Sequence, residues 1–519
     1  MIDAASSLGR PAAQRLEWRP TALQLTMGLT LLAFALRVVD LGARPLWLDE
    51  AYSAWFSSRG WHELWTQVPT YEPHPPFYYS LLKIWHMLFG GSAVALRTFS
   101  LALALATIPL VTAASRELER QRPTGRPMLS AGIAGFLAAA APTLVLLGQE
   151  ARPYPLLIIA FALASLGVLR LIREFASGPG TWRSWLMLAA GTELGLWAHG
   201  LGIIYAACLG AAVAPIWLKG MDRARLRRGL AAAGLIVLLY LPCLLMIVNR
   251  AGDWSGRGWL TWSPVMALQL LSLYAVPVEV LTVGTAVAAL IMLLLAKRAV
   301  QFCLKTPGWT AEHAILLLWW GPPLAAILVS QLVMPIFLIR TLAPTLVPAA
   351  VAIGRALART DSRRERFGLG FALVITLLPG SLQLAMRPAT EPWDKVAAYL
   401  NQKVRSGDEV WLYPNDSALP LVHAGASMSM RGIPGNYPAV GMKGPIRAGS
   451  PAVVSVTAAQ AAQLVRETTI DGARTVWLVT RQSGLFDPSN DMPAALARTR
   501  RAAPTQKWGY ISVTPYYSR

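Results

Sequence analysis

Pro45-Leu46-Trp47-Leu48-Asp49-Glu50-Ala51-Tyr52 follows directly on the first membrane-length apolar run and sets two adjacent carboxylates just outside a bilayer. Trp47 and Trp55 flank them, and indole rings favour the membrane–water interface. Further along the same loop stands Tyr71-Glu72-Pro73-His74-Pro75-Pro76-Phe77-Tyr78-Tyr79. The two segments read as one active site at the lip of the membrane.

The rest of the chain fits that reading. Of 519 residues, 55% are apolar and only 14% charged, with a mean hydropathy of +0.44. Soluble domains carry about 25% charged residues, so the composition is that of an integral membrane protein. The net charge of +20 does not point to nucleic acid. Its Lys and Arg crowd short loops between apolar runs, as the positive-inside rule requires. Cys208 and Cys243 lie in apolar runs and Cys303 in a basic loop, a spacing that suggests neither metal nor disulfide framework. The N-terminus shows no short apolar core followed by a small-residue cleavage site, so no removable signal peptide is expected.

Taken in order, the chain reads as about eleven spans, at 21–41, 93–115, 129–147, 155–172, 184–198, 201–218, 229–248, 276–296, 313–333, 339–357 and 367–386. Arg10, Arg15 and Arg19 place the N-terminus in the cytoplasm, and the odd count places the tail outside. The first external loop, 42–92, reads as interfacial helices over Asp49–Ser58, Trp61–Gln67 and Pro76–Phe89. Residues 1–386 thus form a transmembrane domain and 387–519 an external one. In the tail, helices are expected at Trp393–Val404, Thr457–Arg466 and Met492–Arg500, and strands at Glu409–Tyr413, Thr475–Thr480 and Gly509–Val513. This alternation implies a small α/β domain.

Asp49 suits a general base that takes a proton from an acceptor hydroxyl or amine. The alternative is that it simply N-caps the following helix. Glu72 and His74, stiffened by prolines, suit a phosphate or leaving-group contact or a shared divalent metal. A plain interfacial loop is the alternative. Arg152, in Gln149-Glu150-Ala151-Arg152-Pro153-Tyr154, suits bidentate capture of a phosphate or a snorkelling partner for Glu150. Glu193 and Arg37 lie inside apolar runs, where ionisable groups mark cavities or partners. His199 and Arg340 complete a set of cations around the acidic pair.

These motifs together resemble the GT-C superfamily of polyprenyl-phosphate-dependent glycosyltransferases. More narrowly, they resemble bacterial glycosyltransferase family 39, related to protein O-mannosyltransferases and the lipid A aminoarabinose transferase. The matching residues are Asp49-Glu50, the segment Glu72–Gly90, Gly148–Leu157, Leu196–Ala206, Ile339–Gly354 and Trp393–Leu400. The resemblance implies an inverting transfer of a sugar from a polyprenyl phosphate to an envelope acceptor, which is lipid A or lipopolysaccharide, a polysaccharide, a lipid or a protein. Asp49 becomes the base and Glu50 its orienting partner. His74, Arg152, Tyr154, His199 and Arg340 become donor-binding candidates, with Glu72 and His74 an optional divalent-metal pair. Relatives of the aminoarabinose enzyme carry Lys before the Pro-Pro pair, where this chain has His74. The expected location is a bacterial inner membrane, with the tail periplasmic. No cytoplasmic Gly-rich nucleotide loop is present in the sequence. The rival from another class is a flippase for lipid-linked glycans, which predicts inverted repeats and mid-membrane broken helices; no paired halves are visible.

Overall fold

Apolar runs bounded by Arg, Pro and Gly leave the backbone no partners but its own, so helices dominate. The computed structural model describes residues 21–72, 74–254, 262–274, 283–437, 440–443, 456–469 and 474–519. The first helix, α1 (Ala22–Val38), opens on a capping box between Thr21 and Gln24. The first loop then folds into α2 (Leu48–Ser58), α3 (Trp61–Thr66), α4 (Val68–Tyr71) and α5 (Phe77–Phe89). Helix α5 buries Tyr78, Tyr79 and Leu82 and leaves Ile84, Met87, Leu88 and Phe89 exposed, the two-faced pattern of an element lying on apolar surroundings.

The bundle continues with α6 (Ala93–Gln121), α7 (Pro127–Ala140), α8 (Pro142–Gly148), α9 (Tyr154–Glu174), α10 (Trp182–Ala198), α11 (Gly202–Leu218), α12 (Arg223–Trp254), α13 (Gln269–Tyr274), α14 (Val283–Leu304), α15 (Ala311–Leu332), α16 (Leu346–Ala358) and α17 (Arg363–Ala385). By length and composition, six described segments can cross a membrane: Ala93–Gln121, Tyr154–Glu174, Arg223–Asn249, Ala311–Leu332, Ile339–Ala358 and Arg363–Ala385. The pair α7 and α8, bent by 53°, makes a seventh. The chain is therefore a multi-pass membrane protein. A helix stands at each expected span, although the start of the eighth, from 276, falls outside the described residues. The expected helix from 339 is broken: Ile339–Thr345 winds as a tight 3-10 turn containing Pro344 before α16 begins.

Arg37 shows how the bundle satisfies its own irregularity. Pro142 has no N–H, so the bend before α8 strands carbonyls at the end of α7. The Arg37 guanidinium donates to Ala139 O at 2.7 Å, Ala138 O at 3.2 Å and Ala33 O at 3.1 Å. Ser381 of α17 donates to Ala140 O at 2.5 Å. The buried charge marks a helix break rather than a ligand cavity.

Beyond α17 the tail builds α18 (Trp393–Lys403), β1 (Glu409–Tyr413), α19 (Ala418–His423), β2 (Met430–Gly432), α20 (Ala458–Thr469), β3 (Thr475–Arg481), α21 (Ser483–Phe486), α22 (Asp491–Thr499), β4 (Arg500–Ala502), β5 (Gln506–Trp508) and β6 (Ile511–Ser518). The sheet runs β2-β1-β3-β6-β4, with β5 also on β6. Strands β1, β2 and β3 are parallel, and β6 is antiparallel to β3. Period-2 alternation sends Val410 and Leu412 to a core with Trp393, Val396 and Leu400 of α18, while Trp411 and Tyr413 meet α20 and α22 on the other face. Burial on both faces explains why β1 and β3 are continuous apolar runs.

Candidate active site

Helix α2 is positioned by buried ionic bonds. Glu50 grips the Arg97 guanidinium of α6 at 2.8 and 2.6 Å and accepts Ala151 N–H at 2.9 Å. Arg97 also donates to the carbonyls of Leu41, Arg44 and Pro45. Gln149 clamps the same turn, donating to Val39 O at 2.7 Å and accepting from Arg44 at 3.1 Å. Glu50 is thus fully paired and faces away from the solvent-open side of α2. It acts as an anchor, and the structure does not bring it to a reacting centre.

Asp49 has a different environment. The N-cap of α2 is Trp47, without a side-chain cap bond, so the capping alternative for Asp49 does not hold. The helix end is served instead by Glu391 of the tail, which accepts Leu48 N–H at 3.0 Å. The Asp49 carboxylate meets Arg340 at 3.0 Å and Arg152 at 3.8 Å. Arg152 also donates to the Asp49 backbone carbonyl at 2.9 Å. Burial pushes the Asp49 carboxyl upward, but Arg152 and Arg340, helped by Arg481 and His74, outweigh it and hold it below the usual carboxylate range. Asp49 remains 22% exposed and Arg340 26%, so this pair lies open while Glu50 and Arg97 are sealed. The Arg340 guanidinium lies over the rings of Trp47 and Tyr154, 5.5 and 5.6 Å from their centroids.

A second group borders the first. Glu72 pairs with the His74 ring and accepts His74 N–H at 3.1 Å. Burial raises the Glu72 carboxyl, and His74 more than reverses that, leaving it low. The rings of His74 and His199 meet edge to face at 4.3 Å, with Tyr154 5.9 Å from His199. His199 accepts Leu201 N–H on Nδ1 at 3.0 Å, so its ring proton sits on Nε2. Burial, then His74, Arg152 and Arg340, push its pKa well down, and the ring is a neutral donor. Tyr79 carries a buried hydroxyl with no hydrogen-bond partner among the described residues. Glu150, pushed up to about 6 by burial against the pull of Arg387, bonds Arg387 at 3.2 Å rather than Arg152.

The tail contributes residues that sequence reasoning missed. Tyr52, one turn from Asp49, donates to Asp416 at 3.2 Å and meets Tyr437 edge to face at 5.7 Å. Burial pushes the Asp416 carboxyl up to about 6, against the pull of Arg481. Arg481 pairs with Glu391 at 3.1 Å. Asp416 follows β1 and Arg481 ends β3, the carboxyl ends of parallel strands, where open α/β sheets gather their ligands. That rule was the available signal. Glu193 stands apart in α10, with neither carboxylate oxygen hydrogen-bonded among the described residues.

The metal alternative fits poorly. No cluster of three or more His, Cys, Asp or Glu able to hold a metal occurs among the described residues. Glu72 and His74 are turned on each other, and Arg152 and Arg340 charge the surroundings positively. The set places two guanidiniums, two imidazoles and aromatic hydroxyls around one partly exposed carboxylate.

No known protein-family model and no curated protein sequence matches the chain. Among solved structures it is similar to ArnT from Cupriavidus metallidurans in the apo state, at TM-score 0.61 and 13% identity over 95% of this chain and 98% of that one. The same protein bound to undecaprenyl phosphate gives 0.60 at 13% identity over the same shares. The archaeal oligosaccharyltransferase AglB from Archaeoglobus fulgidus, in complex with an inhibitory peptide and a dolichol-phosphate, gives 0.56 at 12% identity over 96% of this chain and 74% of that one. At such identities the likeness concerns the fold, which this chain shares with ArnT and AglB.

Proposed function

We propose that the chain is an integral-membrane inverting glycosyltransferase, moving a sugar from a polyprenyl phosphate to an envelope acceptor, with Asp49 as general base. The observation that carries the reading is the partly exposed Asp49 carboxylate held by Arg340 and Arg152 at the end of the helix bundle. Solved structures of the same fold hold undecaprenyl phosphate in one case and dolichol-phosphate in another, which supports a lipid-phosphate donor.

The chemistry follows from the charges. In the free protein Asp49 is the shared counter-ion of the two arginines and leaves a net positive charge. A donor phosphate, which Arg binds bidentately, competes for them and releases the carboxylate. With the anion beside it, Asp49 regains affinity for a proton and becomes a better base. The acceptor O–H proton passes to Asp49 as its oxygen attacks the sugar C1 from the opposite face. The bond from C1 to the phosphate oxygen breaks, and the lipid phosphate leaves with the electron pair. Its charge rises from one to two, so Arg152 and Arg340 bind the transition state more tightly than the substrate. Neutral His199, through Nε2–H, and the Tyr79 hydroxyl offer further donors. Tyr52, Asp416 and Tyr437 line the side where the tail meets α2, the place for an acceptor. The reading carries with it eleven spans, a cytoplasmic N-terminus and a periplasmic tail in a bacterial inner membrane.

The test is transfer of labelled sugar from synthetic polyprenyl-phosphate donors by purified wild type and Asp49→Asn. Asn preserves shape, and loss of the base lowers turnover by roughly a hundredfold or more in a protein that stays monodisperse. Equal transfer by both would make Asp49 only a counter-ion for the arginines. Failure of both, with a positive assay for flipping a lipid-linked glycan, would move the chain to the transporter class.

A further inference from the structure

Asp49 is the second residue of α2, so the place of its carboxylate depends on how that helix begins. The first four N–H groups of a helix have no partner within it. The N-cap of α2, Trp47, makes no side-chain cap bond, and the partner for Leu48 comes from the tail. Glu391 is 3% exposed, and both its oxygens are engaged. Oε2 accepts Leu48 N–H and the Trp393 indole N–H, each at 3.0 Å. Oε1 accepts from Arg481 at 3.1 Å. One buried carboxylate thus joins the start of α2 to the start of α18 and the end of β3. An anion at a helix N-terminus is also favoured by the helix dipole.

The strap that carries Glu391 is fixed from two sides. Arg44, in the turn that leads into α2, donates to Ala385 O at 2.8 Å and Arg387 O at 3.3 Å. From the tail, Tyr510 N–H donates to Thr390 O at 3.0 Å. The turn between β5 and β6 lies directly on the strap: a Cβ on Gly509 would stand 2.1 Å from Thr390 O. The proposed transfer gives Glu391 no chemical step, yet the fold fixes its carboxylate on three elements at once.

We propose that Glu391 is a positioning residue for Asp49: by holding the first turn of α2 to the tail it sets the base against Arg152 and Arg340, which makes the tail part of the catalytic unit. The role rests on the proposed transfer with Asp49 as base. It has two separable parts, an acceptor for the helix end and a counter-ion for Arg481. The second matters because Arg481 is among the charges that hold the Asp49 carboxyl low, and pairing with Glu391 limits how much of its field the base feels.

Steady-state transfer from a synthetic polyprenyl-phosphate donor, with kcat and donor KM resolved, and amide exchange of the donor-free full chain test this. Glu391→Ala removes both parts. Its kcat should fall about ten- to a hundredfold, the effect of displacing a reacting group by about an ångström. Donor KM should stay within about twofold, since Arg152 and Arg340 are untouched. Exchange in the peptide 45–59 should speed about tenfold, as for a lost cap, with α9 unchanged. Glu391→Gln keeps an acceptor for Leu48 but strands Arg481, and should lose severalfold in kcat. Adding Arg481→Gln removes the stranded charge and should recover most of that loss. Unchanged kcat or unchanged exchange in Glu391→Ala overturns the proposal. So does a rise in donor KM with kcat intact, which assigns Glu391 to substrate binding. Should Glu391→Ala not stay monodisperse, the two Gln variants decide, and failure of the second to recover activity overturns the role. A wild type that transfers nothing defeats the glycosyltransferase reading itself, whereas an active wild type matched by Glu391→Ala defeats only this one.

Discussion

Glu50→Gln separates anchoring from chemistry in the acidic pair. Glu50 is 0% exposed and its partner Arg97 2%. Removing one member of a buried pair leaves the other as an uncompensated charge, at a cost of about 3–5 kcal/mol. Gln retains one acceptor for Ala151 N–H, and three carbonyls still hold Arg97, so the low end, about 3 kcal/mol, is expected. The loss falls first on the attachment of α2 to α6 and to the 149–153 turn. A change of about 3 kcal/mol raises the population of the detached state by roughly a hundredfold. Amide exchange in peptides covering 45–59 and 149–153 reports this directly and should speed by about that factor, while exchange in the β3 strand is unchanged. Arg97→Gln should behave alike. The double variant should lose far less than the sum, a coupling of about 2 kcal/mol, since neither charge is then stranded. Transfer should fall only as far as the detached population demands. Unchanged exchange with transfer abolished would refute the anchoring role and make Glu50 part of the reaction.

Two pH dependences follow from the same charges. Asp49 is held below the ordinary 3.8 chiefly by Arg152 and Arg340 working against burial. Arg340→Ala should therefore shift the acid limb of the kcat/KM profile upward and lower kcat/KM about tenfold or more, and an unmoved limb would show that Asp49 does not set it. Asp416 titrates near 6 in the folded chain against about 3.9 unfolded. Between those values the folded state holds the extra proton, so stability falls as pH rises from about 4 to 6. Asp416→Asn keeps an acceptor for Tyr52 and removes that loss, on the order of 2–3 kcal/mol. It should melt like wild type at pH 4 and above it at pH 7, and identical melting at both would discard the assignment.

Hydropathy made the helices legible because it is a one-dimensional property, averaged over each apolar run. Strands β1 and β3 were legible for a related reason: burial on both faces writes a continuous apolar run. The edge strands β4 (Arg500–Ala502) and β5 (Gln506–Trp508) are short, polar and largely exposed, and leave no such trace. Partner choice was not legible, because it is a long-range property. The sequence marks Arg37 as needing a cavity or a partner, but not that its partners are carbonyls freed by Pro142, more than a hundred residues away. Asp416 and Arg481 were hidden in a tail whose local pattern shows alternating helices and strands but not which of their ends meet α2.

The acidic pair is the instructive case. Neighbours on a helix project about 100° apart, so Asp49 and Glu50 cannot both face one reacting centre. Asp49 shares its face with Tyr52 and Ser53, which reach Asp416 and Arg152. Glu50 shares its own with Ala54 and Ser57, both buried. Helix geometry alone therefore gives the two acids different surroundings before any coordinate is known. It cannot say which is which, because α2 is covered on nearly every side and its sequence has no clean apolar stripe. Arg97 decides the matter. It is the one charge in the apolar stretch of α6 from Ala93 to Ser115, beside the lip, it needs a buried anion, and only the acid facing the bundle can supply one. The acid left over, Asp49, is the one to which the proposed transfer assigns the acceptor proton.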